Sequence, residues 1–503
     1  MIGSDKPVSK IHSGWLSRLS QGVQHYIGVD GGAGANLLAD LAGRDPYLQQ
    51  VSSPRHADLL IVVEPISQKL APAVVMMANA LAHPARVLLV GEPSTGRTPL
   101  PEAYVAQLDT LFPNAQRVAS SSIEQVVHAA RDAKSQSEMS ITYTSGQEET
   151  TLQLPAKQDQ EMATELVVLS LGPLQTCTAG PLRLFLICDG EQVFSVQMET
   201  EYTARGIAHA MTQGDWQQGL LLARQFDPLA PLASQLVYVD ALELLQGWQQ
   251  TAHVHGYRAL AIALERTQST LWWLVRFARL LADSVLTKRS YQLASQLADL
   301  CSQLWQRLPE TWILPQYSVP VIIGGKNVSA QLQQLSHSTD TLRQYVEQNR
   351  GFALRTRDIG VLTGAQLRQN GIARGPVYDA SEHGRGDVQS RLVTRLQAAV
   401  ADLRFASEVV TNVLNQPSSS AHEACWDIAG GEAMARIVGA RGDIDLHLVH
   451  QETKEHDGPT KVEWQSPSAP LLALLPELLV GQKLADAEVI LASLDIVMAE
   501  VDG

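Results

Sequence analysis

The sequence predicts a two-part fold, in which a small parallel α/β domain precedes a larger, mainly α-helical domain with small flanking β-sheets. Two uninterrupted apolar runs, at 59–63 and 87–90, are rich in Val, Ile and Leu, which is typical of central strands covered on both faces. From residue 233 onward, apolar residues instead recur at the three- and four-residue spacing of amphipathic helices. This change of period along the chain predicts the change of architecture.

The first domain is predicted to span residues 1–138. A short strand at 25–30 runs into the glycine-rich segment 31–34, which leads into a helix. Helices are predicted at 35–42, 71–81 and 123–133. Strands that alternate with helices in this way favour a parallel sheet with crossover connections.

The second domain is predicted to span residues 139–503. The polar stretch 132–160 marks the joint, and residues 139–154 within it also fit a hairpin. Strands are predicted at 166–169, 182–187 and 435–449. Helices are predicted at 233–246, 258–266, 271–287, 291–307, 328–349 and 389–414.

The C-terminal tail, residues 493–503, mixes large apolar side chains with the carboxylates Asp495, Glu500 and Asp502. Its apolar residues are costly to leave in water, and its carboxylates are costly to bury without partners. The tail is therefore predicted to dock into a partly polar interior site.

Composition excludes several classes of function. The formal net charge is -14 and no basic patch stands out, which argues against a nucleic-acid partner. Cys177, Cys188, Cys301 and Cys425 are spaced singly, so neither a disulfide framework nor a zinc or iron–sulfur motif is present in the sequence. No run reaches the ~18 apolar residues of a spanning helix. We therefore expect a cytoplasmic protein that meets membranes only through partners.

Four local motifs resemble sites but favour structural explanations. The segment 31–34 lacks the third glycine of a dinucleotide fingerprint, so a tight turn is favoured. Segment 91–98 imitates a phosphate-binding loop, but it has no lysine and prolines interrupt the helix that should follow. His253 and His255 lack a third ligand nearby in the sequence, and the Trp272-Trp273 pair is typical of core packing.

Taken together, the segments resemble the small and large subunits of membrane-bound energy-converting nickel–iron hydrogenases and the related subunits of respiratory complex I, fused into one chain. In the first domain the similarity lies in residues 53–62 and 69–73. In the second domain the similar segments follow one another in family order, at 172–173, 182–183, 202–207, 252–255, 324–325, 360–361, 375–377, 386–388, 391–395, 440–443, 475–478, 481, 485–486 and 493–495. The resemblance implies a flavodoxin-like first domain and a hydrogenase large-subunit-like second domain.

The resemblance also implies that the metal-binding cysteines of the family have been lost. The family's small subunit binds a four-iron cluster, and the large subunit of the hydrogenases binds nickel and iron through two Cys-x-x-Cys pairs. The positions similar to the cluster ligands are Asp30 and Ala33 (Gly31 and Gly32 on the complex I pattern), with Pro93 and Ser121. The positions similar to the nickel–iron ligands are Trp248, Thr251, Val497 and Glu500. Since these centres require thiolates, we expect no metal and no cofactor.

A vestigial quinone or ligand cavity is a further implication. In complex I a histidine after the Gly-Pro turn and a tyrosine on the first long helix face the quinone. Here the loop 172–180 has no histidine, and Tyr257 is similar to the tyrosine. Such a cavity would be lined by Gln175, His253, His255 and Tyr257.

The resulting hypothesis is a redox-inactive structural or coupling subunit on the cytoplasmic face of a complex I-like or hydrogenase-like ion-translocating complex. It would lie peripheral to the inner membrane and contact membrane-embedded, antiporter-like subunits, with further peripheral subunits as additional partners. The alternative is a quinone-interacting oxidoreductase subunit that receives electrons from a partner, and a third option is a soluble regulatory protein. In all of these, Glu500 needs an arginine, a hydrogen-bond donor or a raised pKa if it is buried, and Arg205 in the segment 202–207 is a candidate partner.

Overall fold

The computed structural model describes residues 23–82, 85–91, 100–119, 122–132, 166–174, 177–248, 252–305, 325–412, 428, 430–451 and 457–502. The joint at 132–160, the hairpin at 139–154 and the boundary at 138 lie outside or at the edge of these ranges. The division into two domains at that residue therefore stays a prediction.

The N-terminal part is a five-stranded parallel sheet. Its strands are β1 (Gln24–Asp30), β2 (Leu48–Gln50), β3 (Leu59–Val63), β4 (Arg86–Val90) and β5 (Gln116–Val118), in the order β2-β1-β3-β4-β5. Strand β3 is buried along its whole length, which confirms the predicted central strand. A continuous apolar run suits this position because helices cover both faces of the sheet.

Four helices accompany this sheet: α1 (Ala35–Arg44), α2 (Ala71–Asn79), α3 (Leu108–Leu111) and α4 (Ile123–Asp132). Helix α2 contributes Val74 to the core on one face, while α1 and α4 contribute Leu38 and Val126 to the core on the other. The strand order reverses direction between β1 and β3, so their carboxyl ends flank a crevice of the kind that binds ligands in open α/β sheets. Asp30 ends β1 at this crevice.

Two small antiparallel sheets flank the C-terminal part, as predicted. The first contains β6 (Val167–Leu171), β7 (Arg183–Asp189) and β8 (Gln192–Glu199), and the second contains β9 (Gly431–Val438), β10 (Asp443–His450) and β11 (Lys461–Gln465). The single strand predicted at 435–449 is wrong, because the chain turns at 439–442 and forms β9 and β10 instead. Gly442, with φ of +145°, adopts a backbone conformation open to glycine and places Arg441 in the turn.

Helices make up the rest of this part. They are α5 (Ile207–Gln213), α6 (Trp216–Phe226), α7 (Pro231–Gln246), α8 (Ala252–Leu280), α9 (Ser284–Trp305), α10 (Gly325–Gln348), α11 (Arg350–Thr356), α12 (Gly364–Gln369), α13 (Pro376–His383), α14 (Val388–Asn412), α15 (Ser468–Leu479), α16 (Leu484–Leu494) and α17 (Met498–Val501). The helices predicted at 258–266 and 271–287 form one helix, α8, because no Gly or Pro separates them. The break falls later, where Ala282 has φ of +54° and the Asp283 side chain accepts from the Leu286 amide at 2.9 Å.

Among the residues that the structure describes, no helix combines the length and the apolar content needed to cross a lipid bilayer.

Candidate functional site

The C-terminal tail carries charged side chains into the interior, with Asp495 and Glu500 both buried. After α16, Asp495 adopts a left-handed conformation with φ of +53°, and Val497 and Met498 are fully buried. The tail backbone pairs with the loop between β6 and β7: the Ala179 amide donates to Ile496 O at 3.1 Å, and the Met498 amide donates to Ala179 O at 2.9 Å. The predicted docking of the tail into a partly polar interior site is confirmed.

Arg441, in the β9–β10 turn, is the centre of a buried ion-pair cluster under this tail. Its Nε donates to Glu500 Oε1 at 3.0 Å, one terminal nitrogen donates to Asp227, and the other lies 3.7 Å from Asp495 Oδ2. Ser468 donates to the second Glu500 oxygen at 2.6 Å and accepts the Val497 amide at 3.2 Å. Both oxygens of the Glu500 carboxylate are therefore held by protein groups.

Asp495 is shared with two further arginines from the long helices. Arg395 on α14 donates to Asp495 Oδ2 at 2.7 Å, and Arg276 on α8 lies 3.5 Å from Oδ1. The Arg395 guanidinium also lies over the Trp273 ring, 4.4 Å from the ring centroid, so a cation–π contact adds to its ion pair. Trp272 and Trp273 are both buried, so the packing prediction for this pair is confirmed.

Burial and opposite charge compete in setting the ionisation of this cluster. Burial alone lowers the pKa of Arg441, but Asp227, Glu500 and Asp495 outweigh it and raise the pKa above its usual value. Burial raises the pKa of Asp227 well above its usual range, although Arg441 opposes that shift. The Asp227 oxygen Oδ1 also accepts the Leu229 and Ala230 amides, at 3.1 and 3.2 Å. The cluster therefore depends on Arg441 staying positively charged.

Arg205 is not the partner of Glu500, and this prediction is wrong. Its guanidinium donates to Gln225 O at 2.5 Å, and burial lowers its pKa to about 10. The matching loop does bring Arg205 into the buried region, but the β9–β10 turn places Arg441 directly against Glu500. The sequence could not distinguish these two arginines, because both lie in segments that resemble the family and only tertiary packing decides which one reaches Glu500.

Asp30 fills the glycine-rich turn after β1 with its own carboxylate. Its Oδ1 accepts the amides of Gly32 and Gly34, at 2.8 and 2.5 Å. Backbone amides converging at such a loop form an anion site, and in this chain that site is already satisfied internally. The interpretation of 31–34 as a structural turn rather than a dinucleotide site fits this arrangement.

The remaining predicted positions are dispersed. Ala33 is half-buried beside the turn, and Trp248 is half-buried directly after α7. On α8, His255 is exposed whereas Tyr257 is 1% exposed in the helical core, where burial raises its pKa. Pro93, Ser121, Thr251, Gln175 and the side chain of His253 lie outside the described residues, as do Cys425 and segment 92–99. The quinone-cavity residues thus stay a prediction.

The donors around the tail do not fit a nickel–iron centre. Val497 has no ligating atom, and Glu500 is engaged by Arg441 and Ser468. At the first loop, Asp30 is the only ligating side chain in the segment 30–34. Across the described ranges, no group of three or more His, Cys, Asp or Glu side chains is arranged to hold a metal ion. An iron–sulfur or nickel–iron centre needs several thiolates, which these positions do not supply.

Arg441, Arg395, Arg276 and Asp227 were not identified as site residues from the sequence. Arg441 and Arg395 lie in the segments 440–443 and 391–395, which resemble the family. That resemblance was the sequence signal that could have identified them. Asp227 and Arg276 carry no local signal, because an acid before α7 and an arginine on a long helix are ordinary features. Only the packing of α8, α14 and the β9–β10 turn brings them together.

The chain is similar in sequence to subunits of NADH dehydrogenases. Residues 416–503, which include the whole tail, match the family described as the respiratory-chain NADH dehydrogenase 49 Kd subunit. A NADH-quinone oxidoreductase subunit of Dehalococcoides mccartyi is 26% identical over 374 residues, which cover 67% of this chain and 99% of that protein. Its counterpart in Roseiflexus castenholzii is 26% identical over 400 residues, with 68% and 94% covered.

A solved structure has a similar fold. A chain of the membrane-bound sulfane sulfur reductase, an archaeal respiratory membrane complex, matches with a TM-score of 0.58 and 19% sequence identity. The match covers 68% of this chain and all of that one. At this level of identity it shows a shared fold.

Proposed function

We propose that the chain is a structural and coupling subunit without a redox centre of its own, and its similarity to the respiratory-chain NADH dehydrogenase 49 Kd subunit and to NADH-quinone oxidoreductase subunits supports this proposal. It would be a peripheral part of a membrane complex that translocates ions, on the cytoplasmic face, with membrane-embedded partners. Its two parts would correspond to a flavodoxin-like small subunit and a hydrogenase-like large subunit joined in one chain.

One observation carries this proposal: of the two tail positions that resemble metal ligands, Glu500 belongs to an ion-pair cluster and Val497 is packed among apolar side chains. Glu500 is bound through both oxygens, and Val497 packs with Ala35, Ala179 and Leu229. The cluster pairs Arg441, Arg395 and Arg276 with Asp227, Asp495 and Glu500, so three basic side chains meet three acidic ones. A hydrogen-bonded cluster of this kind can hold the tail in one position, whereas it offers no vacant ligand to a metal.

Contacts between the two parts support a permanent pairing. Arg276 on α8 donates to Asn36 on α1, and Tyr291 on α9 donates to Asp40 at 2.9 Å. On another side, Ser67 donates to Tyr202 O at 2.6 Å. The tail cluster continues into these contacts through Arg276, so a displacement at one part would be transmitted to the other.

Metal analysis of the purified full-length chain tests the absence of a redox centre. We expect iron and nickel far below one atom per chain and no charge-transfer absorption in the visible range. Stoichiometric metal with such a band would overturn the proposal.

The coupling role needs the intact complex. Arg441→Gln should impair assembly or ion translocation in membranes, and Arg436→Gln, on the exposed face of the same hairpin, should leave both unchanged. If the complex assembled and translocated ions normally with Arg441→Gln, the coupling role would be wrong. Failure of the chain to co-purify with any membrane subunit would exclude the proposed setting altogether.

A further inference from the structure

A cavity of about 280 Å³ lies between the two parts of the molecule and meets the ion-pair cluster at Arg276. Its walls come from β1 and α1 on one side and from residues 173–174, residues 178–181 and α8 on the other. Space of this size holds roughly nine water molecules, or one small organic solute. It lies beside the carboxyl end of β1, near the point where the strand order of the sheet reverses, which is the general location of ligand sites in open α/β sheets.

Two arginines, one helical turn apart on α8, give one wall of the cavity a positive charge. Arg279 donates to Ala39 O at 3.1 Å, and within the described ranges no carboxylate lies within 4.0 Å of it. Arg276 donates to Asn36 and lies 3.5 Å from Asp495, which Arg395 binds more closely. Burial lowers the pKa of both arginines, as expected for desolvated cations with incomplete compensation. A bound anion would compensate them.

Asp30 places a second requirement on a ligand of this cavity: the arginines need an anion, whereas Asp30 needs a hydrogen-bond donor. Its Oδ1 is occupied by the Gly32 and Gly34 amides, but its Oδ2 is buried and has no hydrogen-bond partner among the described residues. A buried carboxylate oxygen without a donor is costly, so a ligand that presents an N–H or O–H there would be favoured. Propionate does not meet both requirements at neutral pH, because it has a carboxylate but no N–H or O–H group to donate to Asp30.

We propose that this cavity binds a small organic carboxylate that also carries a hydroxyl or amino group. The carboxylate would bind Arg279 and Arg276, and the hydroxyl or amino group would donate to Asp30 Oδ2. The proposal does not depend on the proposed coupling function, since a ligand can bind here whether or not the chain belongs to an ion-translocating complex.

Lactate and propionate form a matched pair of probes, because they differ only in the hydroxyl group. Isothermal titration of the full-length chain should show lactate binding at least about tenfold tighter than propionate, as expected for one hydrogen bond to a charged group. Glycine should likewise bind tighter than acetate. Equal affinity within both pairs, or binding of none of the four, would overturn the proposal.

Three variants locate the site. Arg279→Gln should weaken lactate binding at least about tenfold, since it removes a charge-assisted contact. Asp30→Asn should remove the preference for lactate over propionate, while Arg436→Gln, far along the chain on an exposed strand, should change neither value. Circular dichroism would establish that each variant is folded, and a lactate-induced shift of the Arg279 side-chain resonance would give a second readout in the wild type.

Unchanged lactate affinity in Arg279→Gln would contradict the proposal, as would inorganic phosphate displacing lactate with equal or higher affinity. The latter result would identify a site for inorganic anions instead.

Discussion

Two arginines of the β9–β10 hairpin make similar contacts in opposite surroundings. The Arg436 side chain is 55% exposed and binds Asp445 through two contacts, at 2.5 and 2.8 Å. The Arg441 side chain is 2% exposed and binds Asp227 and Glu500. Water can replace the partners of Arg436, but nothing can replace those of Arg441. The surroundings of an ion pair, rather than its geometry, therefore determine what its loss costs.

The largest expected effect is that of Arg441→Met. The substitution would leave two buried carboxylates without their cation, so the free energy of unfolding should fall by about 3–5 kcal/mol. Urea denaturation followed by circular dichroism measures this change. If Arg441→Met cost no more than Arg436→Met, the contrast between the two arginines would be wrong.

The contrast between buried and exposed charged groups can also be tested with glutamates, by measuring the free energy of unfolding as a function of pH. Burial raises the pKa of Glu265 to about 7, although its oxygens accept the Leu232 and Ala233 amides at 2.7 and 2.8 Å. Because the unfolded chain releases this proton near pH 4.5, the group's stabilising contribution is present below that pH and is lost as the pH rises to about 7. The loss should be about 2–3 kcal/mol.

The difference in unfolding free energy between wild type and Glu265→Gln, measured from about pH 4.5 to 7.5, isolates this group. The exposed Glu463, whose pKa Lys461 and His447 lower, serves as the control through Glu463→Gln. A wild-type minus Glu265→Gln difference that does not vary with pH would contradict the prediction.

Removing one hydrogen-bonding side chain beneath the tail should have an intermediate effect. Ser468→Ala deletes the donor to Glu500 and the acceptor of the Val497 amide, so we expect a loss of about 1–3 kcal/mol. The matched control is Thr341→Ala, whose exposed hydroxyl donates to His337 O at 3.0 Å and should contribute less than about 0.5 kcal/mol. Thermal and urea unfolding of both variants would show whether the Ser468 contacts matter.

The smallest expected effect is that of Arg436→Met. Exposed ion pairs contribute about 0–1 kcal/mol, and salt screens them. Unfolding at low and high ionic strength should therefore show a small loss that shrinks as salt is added. A loss above about 2 kcal/mol would mean that the exposed face of the hairpin is covered in solution.

Local sequence was sufficient to predict an element wherever the residue pattern alone determines how that element must be buried. The apolar runs of β3 and β4 predicted central strands, because a strand without polar residues has to be covered on both faces. Helix boundaries were less well predicted, since α8 continues through a polar stretch at 266–270 that lacks a helix-breaking residue. The Thr267 hydroxyl is accommodated there by donating to Ala263 O at 2.9 Å.

For the C-terminal tail, the amino-acid pattern alone required that residues 493–503 be buried with their carboxylates paired, since apolar and acidic residues alternate there. The pattern did not specify which cation pairs with Glu500, and Arg205 was the wrong choice. Arg441 is selected by tertiary packing, which brings the β9–β10 turn against the tail although 59 residues separate Arg441 from Glu500. Pairing of buried charges follows from general energetics, but the identity of the partner follows from packing.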